Sequence, residues 1–131
     1  MPDEVTTLAE LRRVIADFVT ERQWECYHDA KNLSMSIAIE AAELMEHFQW
    51  VRNDEVAALL SEDSRRAEIV DELADIACYV LSLANALDVD LSSAVTAKVA
   101  KNAVKYPPER FRGRYFRPGG TASGHGTGPT D

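Results

Sequence analysis

The chain has 131 residues, 46% of them hydrophobic and 27% charged, with a formal net charge of −8. That size and composition describe one soluble domain able to bury a core, and the acidity argues against nucleic-acid binding through a broad basic face. Cys26 and Cys78 have no metal-binding spacing, the N-terminus has no leader-like pattern, and no apolar run reaches the roughly 18 residues of a membrane span, so a reducing, cytoplasmic setting without membrane contact is expected.

Taken in chain order, Thr7 followed by Glu10 has the pattern of a capping box. Leu8, Leu11, Val14, Ile15, Phe18 and Val19 then recur at helical period, which predicts a first helix reaching about Trp24. Residues 27–32 are polar and aperiodic and read as a loop. A second helix is predicted from about Leu33 to Trp50, with Leu33, Ile37, Ala41, Leu44, Met45 and Phe48 on its buried side. Residues 52–65 are charged and mixed, with a short helical turn expected around Val56 to Leu60. A third, long helix is predicted from about Ser64 to Leu87, with a wide apolar face that includes Ile69, Leu73, Ile76, Val80 and Leu81. Asp90 can cap a fourth helix that ends near Tyr106, where Pro107 and Pro108 stop it. Residues 111–117 are basic and aromatic. Residues 117–131, rich in Gly, Thr and Ser, are expected to form a disordered tail behind a domain spanning residues 1–116. The apolar stripes of the two long helices are too wide for a hairpin backed by solvent. They predict an all-α domain of four-helix-bundle type that is completed by a second subunit.

The acids carry the chemistry. Glu40 and Glu43, and again Glu72 and Asp75, are spaced i, i+3 inside apolar helical runs, so each pair shares one face. Acids on a helix are usually solvated or paired with a cation at i+4, but here those positions are Leu44, His47, Ile76 and Tyr79. Carboxylates on the packed side of a helix need a compensating cation. Two such helices facing each other would supply Glu40, Glu43, Glu72 and Asp75 as hard oxygen ligands, which suit Mg²⁺, with Mn²⁺ able to substitute, rather than zinc. A di-iron centre would require Glu-x-x-His on two helices. His47 lies at the wrong spacing and the third helix has no histidine.

Several blocks then carry a resemblance. They are Glu21-Arg22-Gln23-Trp24, His28, Lys31-Asn32-Leu33, Glu40 to Leu44, Phe48-Gln49-Trp50, Glu72 to Tyr79, and finally Lys98, Asn102 and Lys105-Tyr106-Pro107. In this order they resemble the MazG-like all-α nucleoside triphosphate pyrophosphohydrolases, in particular the dCTP pyrophosphatase branch. The 28 residues between Glu43 and Glu72 sit at the long end of that family's spacing. The resemblance covers residues 7–116. It implies cleavage of the α–β phosphoanhydride of a (d)NTP, giving the monophosphate and pyrophosphate, as a house-cleaning activity on the nucleotide pool. It also implies a homo-oligomer, dimer or tetramer, whose sites borrow residues across subunits.

Site roles follow from the same resemblance. Glu43 and Glu72 would be catalytic as well as metal-binding. Glu46 is either the base that orients water or a surface acid. Lys98, Asn102, Lys105 and Tyr106 would meet the phosphates and sugar, with the Arg110 to Arg117 segment adding neutralising charge and Lys31 and Asn32 among the substrate contacts. Tyr79 would pack on the deoxyribose. Trp24 and Trp50 are candidates to stack on the base, and His28 to donate to it. One position departs from the pattern. The animal dCTP pyrophosphatases carry a histidine nine residues before the tryptophan equivalent to Trp24, and here that residue is Ile15. An apolar side chain makes no polar contact with cytosine, so a broader or modified-base preference is expected. The competing expectations are a phosphoribosyl-ATP pyrophosphohydrolase, which shares the fold and metal site, and a non-catalytic helical interaction protein.

Overall fold

Thr7 opens the first helix as its spacing predicts: its hydroxyl accepts from the Glu10 amide while the Glu10 carboxylate accepts from the Thr7 amide at 2.7 Å. The Thr7 amide, and then the Thr7 hydroxyl donating to the same carboxylate at 2.9 Å, hold the Glu10 carboxyl below its ordinary pKa. The computed structural model describes residues 1–114, and these are helical with no strand. The expected tail 117–131 and the end of the basic-aromatic segment lie outside the described residues. The helices are α1 (Leu8–Glu21), α2 (Ala30–Glu46), α3 (Val56–Ser61), α4 (Asp63–Ala86), α5 (Leu91–Lys105) and α6 (Pro108–Phe111), with 3-10 turns at Glu25–Tyr27 and Asn53–Glu55.

Two helix ends use the same device. After α1, Gln23 adopts a left-handed φ of 53°, its amide bonds Thr20 O, and the Trp24 amide reaches back to Val19 O. After α4, Asp88 (φ 51°), Asn85 O, Val89 and Ala84 O repeat the pattern. Both are Schellman endings without the usual glycine, so each accepts a local strain of order 1 kcal/mol to turn the chain sharply. The first one delivers Trp24 onto the side of α1.

The chain divides into two units, Met1–Val89 and the part from Asp90 onward. In the first, α4 is the hub, with α2 packed along it and α1 and α3 against it. Leu33 at the head of α2 is the most enclosed apolar residue, 1% exposed, and Val19, Ile69, Leu81 and Ala84 complete a small core. Arg12 clamps α1 to the end of α4. Its guanidinium donates to Asn85 Oδ1 at 2.7 Å, Val89 O at 2.8 Å and Ala84 O at 3.3 Å, and Asn85 Nδ2 returns a bond to Arg12 O. Arg12→Ala should therefore destabilise the protein by about 2 kcal/mol, read as a lower urea midpoint at unchanged m.

The second unit holds α5, capped by the Asp90 side chain on the Ser93 amide, and the one-turn α6 behind Pro107. Tyr106 meets Phe111 edge-to-face at 5.1 Å, and Lys105 Nζ lies 5.3 Å over the Tyr106 ring.

The second helix differs from expectation at both ends. Asp29 accepts from the Asn32 amide at 2.8 Å, so the helix begins at Ala30 inside the expected loop. A single aspartate at the cap outweighs the polar, aperiodic composition behind it. At the other end, bonds from Phe48 to Met45 and from Val51 to Phe48 tighten the chain into i→i+3 turns, and the helix stops at Glu46. Met45, expected on the buried side, is instead 71% exposed in the last turn of the helix, and Trp50 beyond it stands 86% exposed.

Candidate active site

Helical spacing places Glu40 and Glu43 on the face of α2 that meets α4, and α4 answers with Glu72. Carboxylate oxygens of these three residues lie within 4.8 Å of one another. Burial, then a hydrogen bond shared with Glu43, then the charges of Glu43, Asp75 and Glu72, push the Glu40 carboxyl above its ordinary pKa. Acids that raise each other's pKa are acids lacking a cation, which is the donor set a hard divalent ion fits. Asp75 stands outside the tight trio, close enough for its charge to act on Glu40.

Asp75 also joins the cluster to a cavity of about 430 Å³ between α1 and α4. Val14 and Phe18 supply apolar wall from α1, Trp24 and His28 come from the connection, and Tyr79 follows Asp75 one turn along α4. Trp24 packs edge-on to Phe18, with centroids 5.9 Å apart, and the Arg22 guanidinium covers the Phe18 ring at 3.6 Å. Ile15 lines this cavity as well, so the departure noted in the sequence falls on the pocket wall. Cys78 is a free thiol there, raised in pKa first by burial and then by Asp75; Cys26 is also free.

The structure thus gathers Glu40, Glu43 and Glu72, and separately Trp24, His28, Tyr79 and Asp75. Other candidates fall elsewhere. Glu46 is exposed and borders a surface cavity with Ala42, Met45 and Gln49. Lys31 is exposed, and the Asn32 side-chain amide donates to Tyr27 O at 3.3 Å, fastening the turn before α2. Lys98 and Asn102 share one face of α5 at i, i+4, and with Lys105 and Tyr106 they belong to the second unit.

Two residues near these groups had no role in the sequence reading. His47, 17% exposed, places Nε2 3.8 Å from Glu72 Oε1 and Nδ1 4.0 Å from Glu68 Oε2. Its signal was its position four residues after Glu43. Ser82 lines the cavity and is buried. Its signal was the i, i+4, i+7 register of Asp75, Tyr79 and Ser82.

Comparison with known proteins agrees with this geometry. A model of the MazG-like family matches residues 35–114. The chain is 35% identical to dCTP pyrophosphatase 1 of Bos taurus over 130 residues, covering 95% of this chain and 77% of that protein. It is 37% identical to dCTP pyrophosphatase 1 of Rattus norvegicus over 107 residues, where it spans 82% of this chain but only 63% of the rat protein. Among solved structures, a pyrophosphatase from Archaeoglobus fulgidus superposes with a TM-score of 0.73 at 38% identity, covering 82% of this chain and 98% of that one.

Proposed function

The chain belongs to the MazG-like family, and from that premise we propose that it is a Mg²⁺-dependent nucleoside triphosphate pyrophosphohydrolase acting on dCTP or a base-modified dCTP. The observation that carries this reading is the junction at Asp75, with the acid cluster on one side and an aromatic cavity on the other. A triphosphate belongs beside the acids and a flat ring beside Trp24, so one nucleotide spans both. The names of the relatives favour this substrate over phosphoribosyl-ATP, and the intact acids oppose a non-catalytic role.

Glu40, Glu43 and Glu72 would hold the metal, with Asp75 beside them. Bound Mg²⁺ supplies charge neutralisation at the phosphate oxygens and acidifies water. The protein's own share is positioning. The carboxylates fix the phosphate end, Trp24 stacks on the base, and Tyr79, one turn beyond Asp75, packs on the sugar. Lys98, Asn102 and Lys105 would add the remaining phosphate contacts, and Glu46 is the outlying candidate for the base that orients water.

Water adds across the α–β anhydride, so dCTP should yield dCMP and pyrophosphate in equal amounts with no orthophosphate. Ion-exchange chromatography of the reaction reads this directly, and dCDP with orthophosphate would overturn the assignment. Self-association belongs to the same proposal. Met35 and Ile39 on α2 and Val70 and Leu73 on α4 are large apolar residues left exposed, the kind of face a second copy covers. Among the described residues no helix is long and apolar enough to cross a membrane, and the work proposed is house-cleaning of the cytoplasmic nucleotide pool.

A further inference from the structure

We propose that Ser82, together with His28, reads the polar edge of the nucleobase, a role that rests on the pyrophosphohydrolase reading above. Adjoining the main cavity of about 430 Å³ is a smaller one of about 210 Å³, and Ser82 and His28 line both. With Ile15 and Val19 they are the residues common to the two spaces, and of those four only Ser82 and His28 carry polar side chains.

Each carries polar capacity that the fold leaves unused. Nδ1 of His28 is enclosed and has no hydrogen-bond partner among the described residues. Ser82 is buried, 7% exposed, in the middle of α4. A serine or threonine inside a helix ordinarily turns its hydroxyl onto a carbonyl of the preceding turn. Ser34 does so to Lys31 O, Ser61 to Ala58 O and Thr96 to Ser92 O. Among the described residues the Ser82 hydroxyl makes no such bond. The enclosed imidazole nitrogen is costly unless a ligand satisfies it, and the Ser82 hydroxyl beside the same cavity is unspent as well.

The register fits a base rather than a phosphate. From Asp75 at the acid cluster, Tyr79 and Ser82 follow on the same face. Seven residues of helix advance roughly 10 Å, about the reach of a nucleoside lying along α4. The phosphates then sit with the acids, the sugar against Tyr79, and the far edge of the base at Ser82. Ile15 lines both spaces too and, being apolar, cannot serve that edge. A hydroxyl both donates and accepts, and a neutral imidazole does one of each, which matches the neighbouring acceptor N3 and donor N4 of cytosine.

The test pairs dCTP with 2-deoxyribose 5-triphosphate, which has no base. Ser82→Ala should raise KM for dCTP about tenfold, with kcat within about twofold, because one buried partner of the base is lost. The same variant should leave turnover of the base-free substrate unchanged. An unchanged KM for dCTP, or an equal loss on both substrates, overturns the proposal. A second measurement does not depend on turnover. The ¹⁵N resonance of His28 Nδ1 should shift on titration with dCMP and stay put with 2-deoxyribose 5-phosphate. No shift with dCMP, or the same shift with both, overturns it too. If the wild-type enzyme turns over no dNTP, the functional reading falls, while the ¹⁵N titration still decides the base contact.

Discussion

Glu43→Gln should lower kcat for dNTP hydrolysis by at least about a thousandfold, the scale expected when a metal-binding and charge-organising group is removed. The fold should survive, because Glu43 is exposed and supports no packing. Its charge and its hydrogen bond are among the causes that push the Glu40 carboxyl upward. Removing them relieves repulsion, so the metal-free variant should melt at the same temperature as the wild type or slightly above it. Activity falling while stability holds or rises is the signature of a functional strain. Asp75→Asn should likewise lose turnover, since Asp75 links the acids to the cavity. Pyrophosphate release and thermal unfolding in metal-free buffer measure the two effects. Retention of activity within tenfold in both variants would remove the acid cluster from the mechanism.

Chelation should abolish turnover, and restoring Mg²⁺ should recover it together with added stability. An ion that binds only the folded chain, at a hundredfold over its Kd, contributes about 2.7 kcal/mol. The pH dependence has a definite sign. The folded pKa of Glu40 is raised above its unfolded value. In the metal-free protein its contribution to stability is fully present below the ordinary carboxylate pKa and is lost as pH rises through the raised value. Metal binding must displace that proton, so Mg²⁺ affinity should weaken as pH falls through the same window, approaching tenfold per pH unit below it for one proton. Calorimetric titration at several pH values checks this. An affinity that does not change across the window would mean that Glu40 is not a ligand.

The helices were legible because the apolar repeat and the caps are local signals. Thr7 with Glu10, and Asp90 before α5, are read from neighbours in the chain and behave as read. The second helix shows where local reading stops. Its polar first turn reads as loop because composition hides the Asp29 cap, and its end comes early through 3-10 turns that no glycine or proline announces. Trp50 illustrates the consequence: beyond the end of α2, it stands in solvent within this chain.

The acids were legible for a different reason. A pair at i, i+3 with no cation at i+4 is an anomaly that the sequence alone displays, and it marks Glu40, Glu43, Glu72 and Asp75 as one candidate set before any packing is known. Which acids close up was decided only when α2 met α4: three come within 4.8 Å, and Asp75 turns toward the cavity. The cavity itself is a tertiary object. Ile15, His28 and Ser82 are far apart in sequence and share a wall because α1 and α4 pack together around the connection. Spacing within one helix determined which acids share a face, since helical geometry is periodic and local. The cavity proposed to take the base was decided by packing between helices, which depends on how side chains distant in sequence fill a common space.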